Sequence, residues 1–175
     1  MAKRVTHYIN NKTLYTELVK YKTIVEDAKN SGQEKPPIPK YIVESLMTLA
    51  TRLSYKANFI NYSYIDEMIL DGIENAINSV EKFNPDRTNN PFAYFTQIIK
   101  NAFIRRILTE QKQAYVKHKN FEYLTVLVDN NSFTDEGIQI NNEYSANVVE
   151  TFEKRLTKVK KDSKIRGLEK YMDDE

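Results

Sequence analysis

The stretch from residue 64 to residue 119 constrains the fold most, because it holds two amphipathic helical patterns joined by a short polar loop. In each pattern the apolar residues recur at the helical period and therefore line one face, as in a buried stripe. Asn90 is a good N-cap and Pro91 a good first-turn residue, so a new helix is predicted to begin there. The first stripe consists of Met68, Ile69, Gly72, Ala76, Val80 and Phe83, and the second of Phe92, Phe95, Ile99, Ala102, Phe103 and Ile107.

The face of the first helix opposite its stripe is acidic. Two interpretations remain open: a solvated face, or a docking surface for a basic partner on which Asp71 is exposed. Docking is favoured by Leu70 and Ile77, which lie beside the stripe but off the core face. A metal site is disfavoured, because no histidine joins the carboxylates at ligand spacing. The polar residues of this face are Glu67, Asp71, Glu74, Asn78 and Glu81.

A single glycine, Gly72, lies in the middle of a predicted helix. Glycine at such a position costs about 1 kcal/mol of helix stability relative to alanine. We therefore predict that another helix packs closely against Gly72.

The second helix is polar on the face opposite its stripe, and the chain becomes basic beyond it. From residue 100 to residue 119 there are six Lys or Arg residues and a single acid. A basic run interleaved with aromatics is typical of proteins that bind single-stranded or melted nucleic acid, where cations meet phosphates and rings stack on bases. Tyr94 and Tyr115 lie outside the stripe and are the predicted stacking residues. The predicted nucleic-acid-binding residues are Tyr94, Gln97, Asn101, Arg105, Lys112, Tyr115 and Lys117.

Several short strings in the chain resemble those of a known family. The chain resembles region 2 of the bacterial sigma-70 family in three strings: Asp71-Gly72, Val80-Glu81-Lys82-Phe83 and Phe92-x-x-Phe95. The chain is more closely similar to the late-gene sigma factors of T-even-type bacteriophages, over about two thirds of its length. The strings that carry this second resemblance are Tyr8-Ile9-Asn10-Asn11-Lys12, Glu67-Met68-Ile69-x-Asp71-Gly72-Ile73-Glu74, Asn90-Pro91-x-Ala93-Tyr94-x-Thr96-Gln97 and Asn101-Ala102-Phe103.

The resemblance implies a function for each helix. The acidic helix would bind the clamp helices of the large subunit of RNA polymerase core, and the next helix would capture and melt the −10 promoter element. Housekeeping sigma factors use tryptophans in the melting helix, but this chain contains none. Another ring, such as Tyr94 or Phe95, would have to capture the base. The implied polymerase-binding residues are Glu67, Leu70, Asp71, Glu74 and Ile77.

The C-terminal region carries a separate pattern. A basic run at residues 154–166 precedes a charged tail whose apolar residues are Leu168, Tyr171 and Met172. Taken alone, these residues also fit a frayed terminus with incidental hydrophobics. The phage late sigma factors end in a short hydrophobic and acidic peptide that binds the DNA sliding clamp, so the resemblance implies that role here. Such a peptide binds weakly because it must first be ordered, and tethering would supply avidity.

Composition limits the other classes of function. None of the 175 residues is cysteine, which excludes a disulfide framework. The net charge is only +2, so any affinity for nucleic acid must come from a local basic patch. No apolar run approaches a membrane span and no leader suggests secretion, so we expect a cytosolic protein. The resemblance implies that this is the cytoplasm of an infected bacterial host. His7 and His118 lie far apart, and there is no glycine-rich phosphate loop or nucleophile elbow. We predict no enzymatic activity, no cofactor and no metal site.

We predict an all-α fold in three parts. Residues 1–35 form an N-terminal helix and linker, residues 36–123 a compact sigma region 2-like helical domain, and residues 124–175 a partly flexible C-terminal segment. Helices are predicted at residues 13–29, 39–55 and 148–161, and residues 125–128 as a short strand or a packing strip.

Three functions remain open at this stage. The first is a sigma factor for phage late promoters with an A·T-rich −10-like element, activated through the sliding clamp. The second is a helical polymerase-binding regulator, an inhibitor or adaptor, that does not read DNA. The third is a plain DNA-binding repressor. If the protein is such a sigma factor, a phage co-activator is a further partner that the resemblance allows.

Overall fold

The computed structural model describes residues 8–129 and 142–169. They form five α-helices: α1 (Asn11–Asn30), α2 (Lys40–Ser54), α3 (Ile65–Ile77), α4 (Pro91–Asp129) and α5 (Asn142–Glu169). These ranges contain no β-strand, so the predicted all-α fold class is confirmed. The chain packs as two compact units, Met1–Ile107 and Leu108–Glu175, here called the first and the second unit. The predicted domain boundaries at residues 35 and 123 stay predictions.

The start of α1 caps two helices. Asn10 Oδ1 accepts hydrogen bonds from the backbone N–H groups of Lys12 and Thr13, at 3.1 and 3.3 Å. Asn11 Oδ1 accepts one from the backbone N–H of Phe92, at 3.0 Å, so α1 also satisfies a donor in the first turn of α4. The residues of α1 that are buried in the core of the first unit recur at helical spacing and are Leu14, Leu18, Tyr21 and Val25.

The segment between α1 and α2 is held by side chains of the first unit. The Tyr21 hydroxyl donates a hydrogen bond to the carbonyl of Pro36 at 3.1 Å. Lys35 forms an ion pair with Glu81, and the hydrogen bond between them raises the pKa of Lys35 and lowers the pKa of Glu81. Glu81 therefore pairs with the linker of its own chain. The helical spacing had instead placed Glu81 on the acidic face opposite the stripe.

Helix α3 ends earlier than predicted. It stops at Ile77, and the chain to Phe83 continues as turns, with the Val80 N–H bonded to the Ile77 carbonyl at 3.1 Å. The Ser79 hydroxyl donates to the Asn75 carbonyl at 2.7 Å, and such side-chain bonds compete with helical backbone pairing. Val80 and Phe83 are nevertheless buried. The predicted stripe is therefore confirmed, although its last two members lie in turns.

Helix α4 begins where predicted and runs further. Asn90 Oδ1 accepts a hydrogen bond from the Ala93 N–H at 3.1 Å, which confirms the N-cap. The strand alternative for Thr125–Val128 is wrong, because these residues are helical. No glycine or proline stands between residues 92 and 129 to end the helix, and this outweighs the strand preference of the β-branched run. Helix α5 likewise extends beyond the predicted residues 148–161 at both ends.

The core of the first unit includes a close contact between α3 and α4. A Cβ built on Gly72 would lie 2.7 Å from Phe103 Cε1 and 2.9 Å from Ile99 Cγ2, so only glycine fits without a shift. The predicted close packing against Gly72 is confirmed. The largest side chains that are fully buried in this unit include Phe95, Phe103, Leu14, Ile42, Leu46, Leu49, Met68 and Ile99.

The second unit pairs the distal part of α4 with α5. Arg155 Nη1 donates to Gln111 Oε1 at 2.8 Å, and His118 Nδ1 lies 3.0 Å from Ser145 Oγ. The paired positions rise along α4 as they fall along α5, so the two segments run antiparallel. In the part of the chain that the structure describes, no helix is both long and apolar enough to cross a membrane.

Candidate functional site

Three of the predicted polymerase-binding residues are exposed together on α3. Glu67 and Glu74 are exposed carboxylates, and Leu70 between them has 66% of its surface exposed. Residues three and four apart share a helix face, so the three side chains form one patch. Ile77, in contrast, is half-buried and packs against the core. The patch offers carboxylates around a large apolar side chain, which suits a basic partner with an apolar contact.

Asp71 occupies a different position from the one predicted. Its carboxylate accepts two hydrogen bonds from Arg106, with Arg106 Nε 2.7 Å from Oδ2 and Nη2 2.8 Å from Oδ1. The two side chains retain exposures of only 31% and 27%. The expectation of an exposed Asp71 is therefore wrong, because this bidentate pair holds its carboxylate between α3 and α4. Such charge-assisted pairs are stronger than neutral hydrogen bonds.

A second polar contact between α3 and α4 lies one turn further along. Asn75 Oδ1 accepts a hydrogen bond from Arg105 Nη2 at 2.7 Å. Asn75 Nδ2 in turn donates to the backbone carbonyl of Asp71 at 2.7 Å. Arg105 itself is exposed. Two successive turns of α3 thus hold two neighbouring arginines of α4, Arg106 through a carboxylate and Arg105 through an amide.

The polar face of α4 in the first unit carries three of the predicted DNA-binding residues. Gln97, Asn101 and Arg105 recur every four residues and are all exposed. Gln97 Nε2 donates to Asn101 Oδ1 at 2.9 Å. This face therefore presents amide donors and acceptors together with one cation, a set of groups that can contact both base edges and phosphates.

Tyr94 lies in the core margin rather than outside it. Its ring meets those of Phe83 and Phe95 edge-on, with centroid distances of 5.4 and 5.0 Å. The hydroxyl donates to the Ser79 carbonyl at 3.5 Å, and burial raises the pKa of the phenol. Tyr94 is not part of the buried core, but the turns after α3 bring Phe83 against it, so its ring is partly buried and already engaged rather than free to stack on a base.

In the second unit the predicted residues have divergent environments. Lys112 and Lys117 are exposed. Tyr115 instead stacks on Phe152 with ring centroids 4.6 Å apart and an interplanar angle of 21°, and its hydroxyl donates to Glu153 Oε1 at 3.2 Å. The ring of Tyr115 is thus engaged within the helical pair, contrary to its predicted role as an available stacking platform.

Sequence reasoning missed Asn75 and Arg106. Adjacent residues on a helix point about 100° apart, so Arg105 and Arg106 extend in different directions. The sequence does not show which of the two turns toward the neighbouring helix. Nor did any signal mark Asn75, whose role depends on which α4 residue lies opposite it.

The predicted sliding-clamp contact is not described by the structure. The backbone at Leu168 belongs to α5, but its side chain lies outside the described residues, as do Tyr171 and Met172 entirely. Among the side chains that are described, no group of three or more His, Cys, Asp or Glu residues could hold a metal ion.

The match to a family covers both helices described above. Residues 42–113 match the family model described as Sigma-70 region 2, a span that includes most of α2, all of α3 and the first part of α4. No curated protein gives a significant match to the chain. Region 2 is a non-enzymatic domain of transcription factors that implies binding to RNA polymerase core and promoter DNA. Over residues 42–113 the chain is thus similar to Sigma-70 region 2, and this similarity supports a sigma-70-family factor.

Proposed function

We propose that this protein is a sigma factor whose α3 docks on RNA polymerase core while α4 recognises and melts an A·T-rich −10-like element. One observation carries the proposal: the region 2 match at residues 42–113 includes both the exposed acidic patch of α3 and the polar face of α4. A regulator that binds polymerase without reading DNA would need only the first of these surfaces.

In this proposal Glu67, Leu70 and Glu74 contact the clamp helices of the large polymerase subunit. This contact is supported by the exposure of all three side chains on one face of α3. Leu70 supplies the apolar area that commonly anchors a protein–protein contact. Asp71 and Ile77 act from within the fold, Asp71 through its pair with Arg106 and Ile77 by packing against the core.

Charge reversal tests the docking surface. We expect Glu67→Lys and Glu74→Lys each to weaken binding to polymerase core by about tenfold or more, because each sets a like charge against a basic partner. Glu26→Lys is the matched control, since Glu26 is an exposed carboxylate of α1 outside the region 2 match. Circular dichroism checks that each variant is folded. Unchanged affinity in both α3 variants would remove this face from the proposal.

The DNA contacts are proposed for the polar face of α4 and the lysines beyond it. Gln97, Asn101 and Arg105 of the first unit are proposed to contact bases and phosphates. Lys112 and Lys117 of the second unit are proposed to contact phosphates. Tyr94 reaches a base only by leaving Phe83 and Phe95, and Tyr115 only by leaving Phe152. The residues proposed to contact DNA without such a movement are Gln97, Asn101, Arg105, Lys112 and Lys117.

Reconstituted transcription separates a sigma factor from a regulator that does not read DNA. Core polymerase plus this protein is expected to start specific transcripts at an A·T-rich −10-like element, whereas the regulator would give none. Arg105→Ala is expected to reduce open-complex formation and to flatten its salt dependence by about one phosphate contact. Lys20→Ala serves as the control cation, because Lys20 is an exposed lysine of α1 outside the region 2 match.

The resemblance supports a narrower version of the proposal: initiation at phage late promoters, activated by the DNA sliding clamp, in the cytoplasm of an infected bacterial host. Leu168, Tyr171 and Met172 would bind the clamp, and a phage co-activator would be a further partner. Removing residues 167–175 is expected to abolish clamp-stimulated transcription and to spare basal initiation, and Leu168→Ala with Tyr171→Ala is expected to reproduce the truncation. A full response of the truncated protein to the clamp would contradict this version alone.

A further inference from the structure

The Asn75 side chain links α3 to the exposed polar face of α4, and its orientation is determined by its two partners. Its oxygen accepts from Arg105 Nη2 and its nitrogen donates to the Asp71 carbonyl, both at 2.7 Å. Turning the amide over would set its NH₂ group against the donors of the guanidinium and its oxygen against a carbonyl oxygen. Each bond therefore favours the other, and the acceptor faces Arg105.

The two neighbouring arginines are held by chemically different groups. Arg106 is half-buried, and the carboxylate of Asp71 neutralises its charge. Arg105 is exposed and is held by a neutral amide, which fixes the guanidinium without cancelling its charge. A guanidinium has five N–H donors in a planar fork, and Asn75 engages it through Nη2. The positive charge and further donors of Arg105 thus remain on the exposed face of α4.

We infer that Asn75 is a positioning residue: it orients the Arg105 guanidinium toward a DNA phosphate, so that the polymerase-docking helix α3 also holds a DNA-binding cation of α4. This inference rests on the proposed function. An unrestrained arginine side chain loses conformational entropy when it is fixed on a phosphate, and a side chain already held by Asn75 loses less. The neutrality of the amide matters as well, because an acid at this position would compete with the phosphate for the same cation.

A double-mutant cycle on the intact protein with core polymerase and promoter DNA tests this role. Asn75→Ala is expected to reduce open-complex formation by about threefold to tenfold, the factor that corresponds to one hydrogen bond. It is also expected to flatten the salt dependence by about one phosphate contact, as Arg105→Ala does. In the Arg105→Ala background, Asn75→Ala is expected to have no further effect on either quantity.

Two further measurements separate positioning from a structural role. Binding to core polymerase is expected to be unchanged by Asn75→Ala, since the exposed patch of α3 is intact. Asn30→Ala is the matched control: Asn30 is an exposed asparagine at the end of α1, outside the region 2 match, and the change is expected to leave opening and salt dependence unchanged. Losses that add in the double variant, or a lower urea midpoint with unchanged salt dependence, would overturn the inference in favour of plain helix packing.

The outcomes also separate this inference from the proposed function. If Arg105→Ala leaves opening unchanged, the DNA contact of Arg105 is refuted, and the role of Asn75 is refuted with it. If Arg105→Ala impairs opening while Asn75→Ala does not, the positioning role alone is refuted and the sigma-factor proposal stands.

Discussion

Alanine substitution of Asp71 or Arg106 is expected to destabilise the first unit through a shared interaction. Each change removes both hydrogen bonds of the bidentate pair and the ionic contact between the two side chains. The pair also explains why Asp71→Lys is a poor probe of polymerase docking. A lysine at this position would face Arg106 and lower stability before any partner is present.

The exposure of the two side chains sets the expected magnitude. Pairs in full solvent contribute about 0.2–1 kcal/mol, whereas breaking a buried pair by removing one partner costs about 3–5 kcal/mol. Asp71 and Arg106 retain 31% and 27% exposure, which places them between these limits. We expect each single alanine variant to lower the free energy of unfolding by about 1–3 kcal/mol, with a coupling energy of about 1–2 kcal/mol. For a unit of this size, 1 kcal/mol corresponds to a fall in melting temperature of roughly 4 °C.

Urea denaturation followed by circular dichroism gives the free energies of unfolding of the wild type, both single variants and the double variant. The double variant is expected to lose less than the sum of the single losses, by the coupling energy. Glu67→Ala is the matched control, because Glu67 is an exposed carboxylate of the same helix, and its effect is expected to stay within about 0.5 kcal/mol. Strictly additive losses would show that the two side chains do not interact in solution and would refute the reasoning.

Three further outcomes are expected. Gly72→Ala should lower the free energy of unfolding by about 1 kcal/mol, since overpacking against Phe103 outweighs the gain in helix propensity; a higher urea midpoint would contradict the close contact. Asn90→Ala should cost about 1 kcal/mol through loss of the α4 cap, measured in the same way, and an unchanged midpoint would show that the cap contributes nothing. Burial raises the pKa of Tyr94 above its ordinary value of 10.0, so its contribution to stability is full below pH 10 and is lost as the pH rises through the folded-state value. Comparing phenolate absorbance and alkaline stability of the wild type with those of Tyr94→Phe checks this, and identical titrations of the two proteins would argue against burial.

Local pattern determined the helices and their buried faces. The stripe residues Phe95, Ile99 and Phe103 recur at the helical period, and all three are fully buried. The N-cap of α4 followed from the preference of asparagine for that position. The glycine in α3 indicated a close neighbour because glycine has a cost in a helix that packing must offset. These features depend on residues within a few positions of each other, so they can be read from one chain without knowing what packs against what.

The lengths of the helices were determined less well. The last turn predicted for α3 is replaced by turns in which Ser79 bonds to the backbone of Asn75, a competition that propensity alone does not settle. Helix α4 continues through Thr125–Val128 despite their strand preference. In both cases the hydrophobic period was correct, and the end of the element depended on hydrogen bonds that the period does not encode.

The roles of individual polar and aromatic side chains were decided only by the tertiary structure. Periodicity placed Asp71 on an outer face, but the rotation of α3 against α4 brings its carboxylate to Arg106. The same packing brings Arg105 within hydrogen-bond distance of Asn75, and the turns after α3 bring Phe83 against Tyr94. The physical reason is the range of the interactions. A helical period fixes directions around one axis, whereas an ion pair or ring contact requires two elements to meet at a particular register, and that register is set by packing across the whole core.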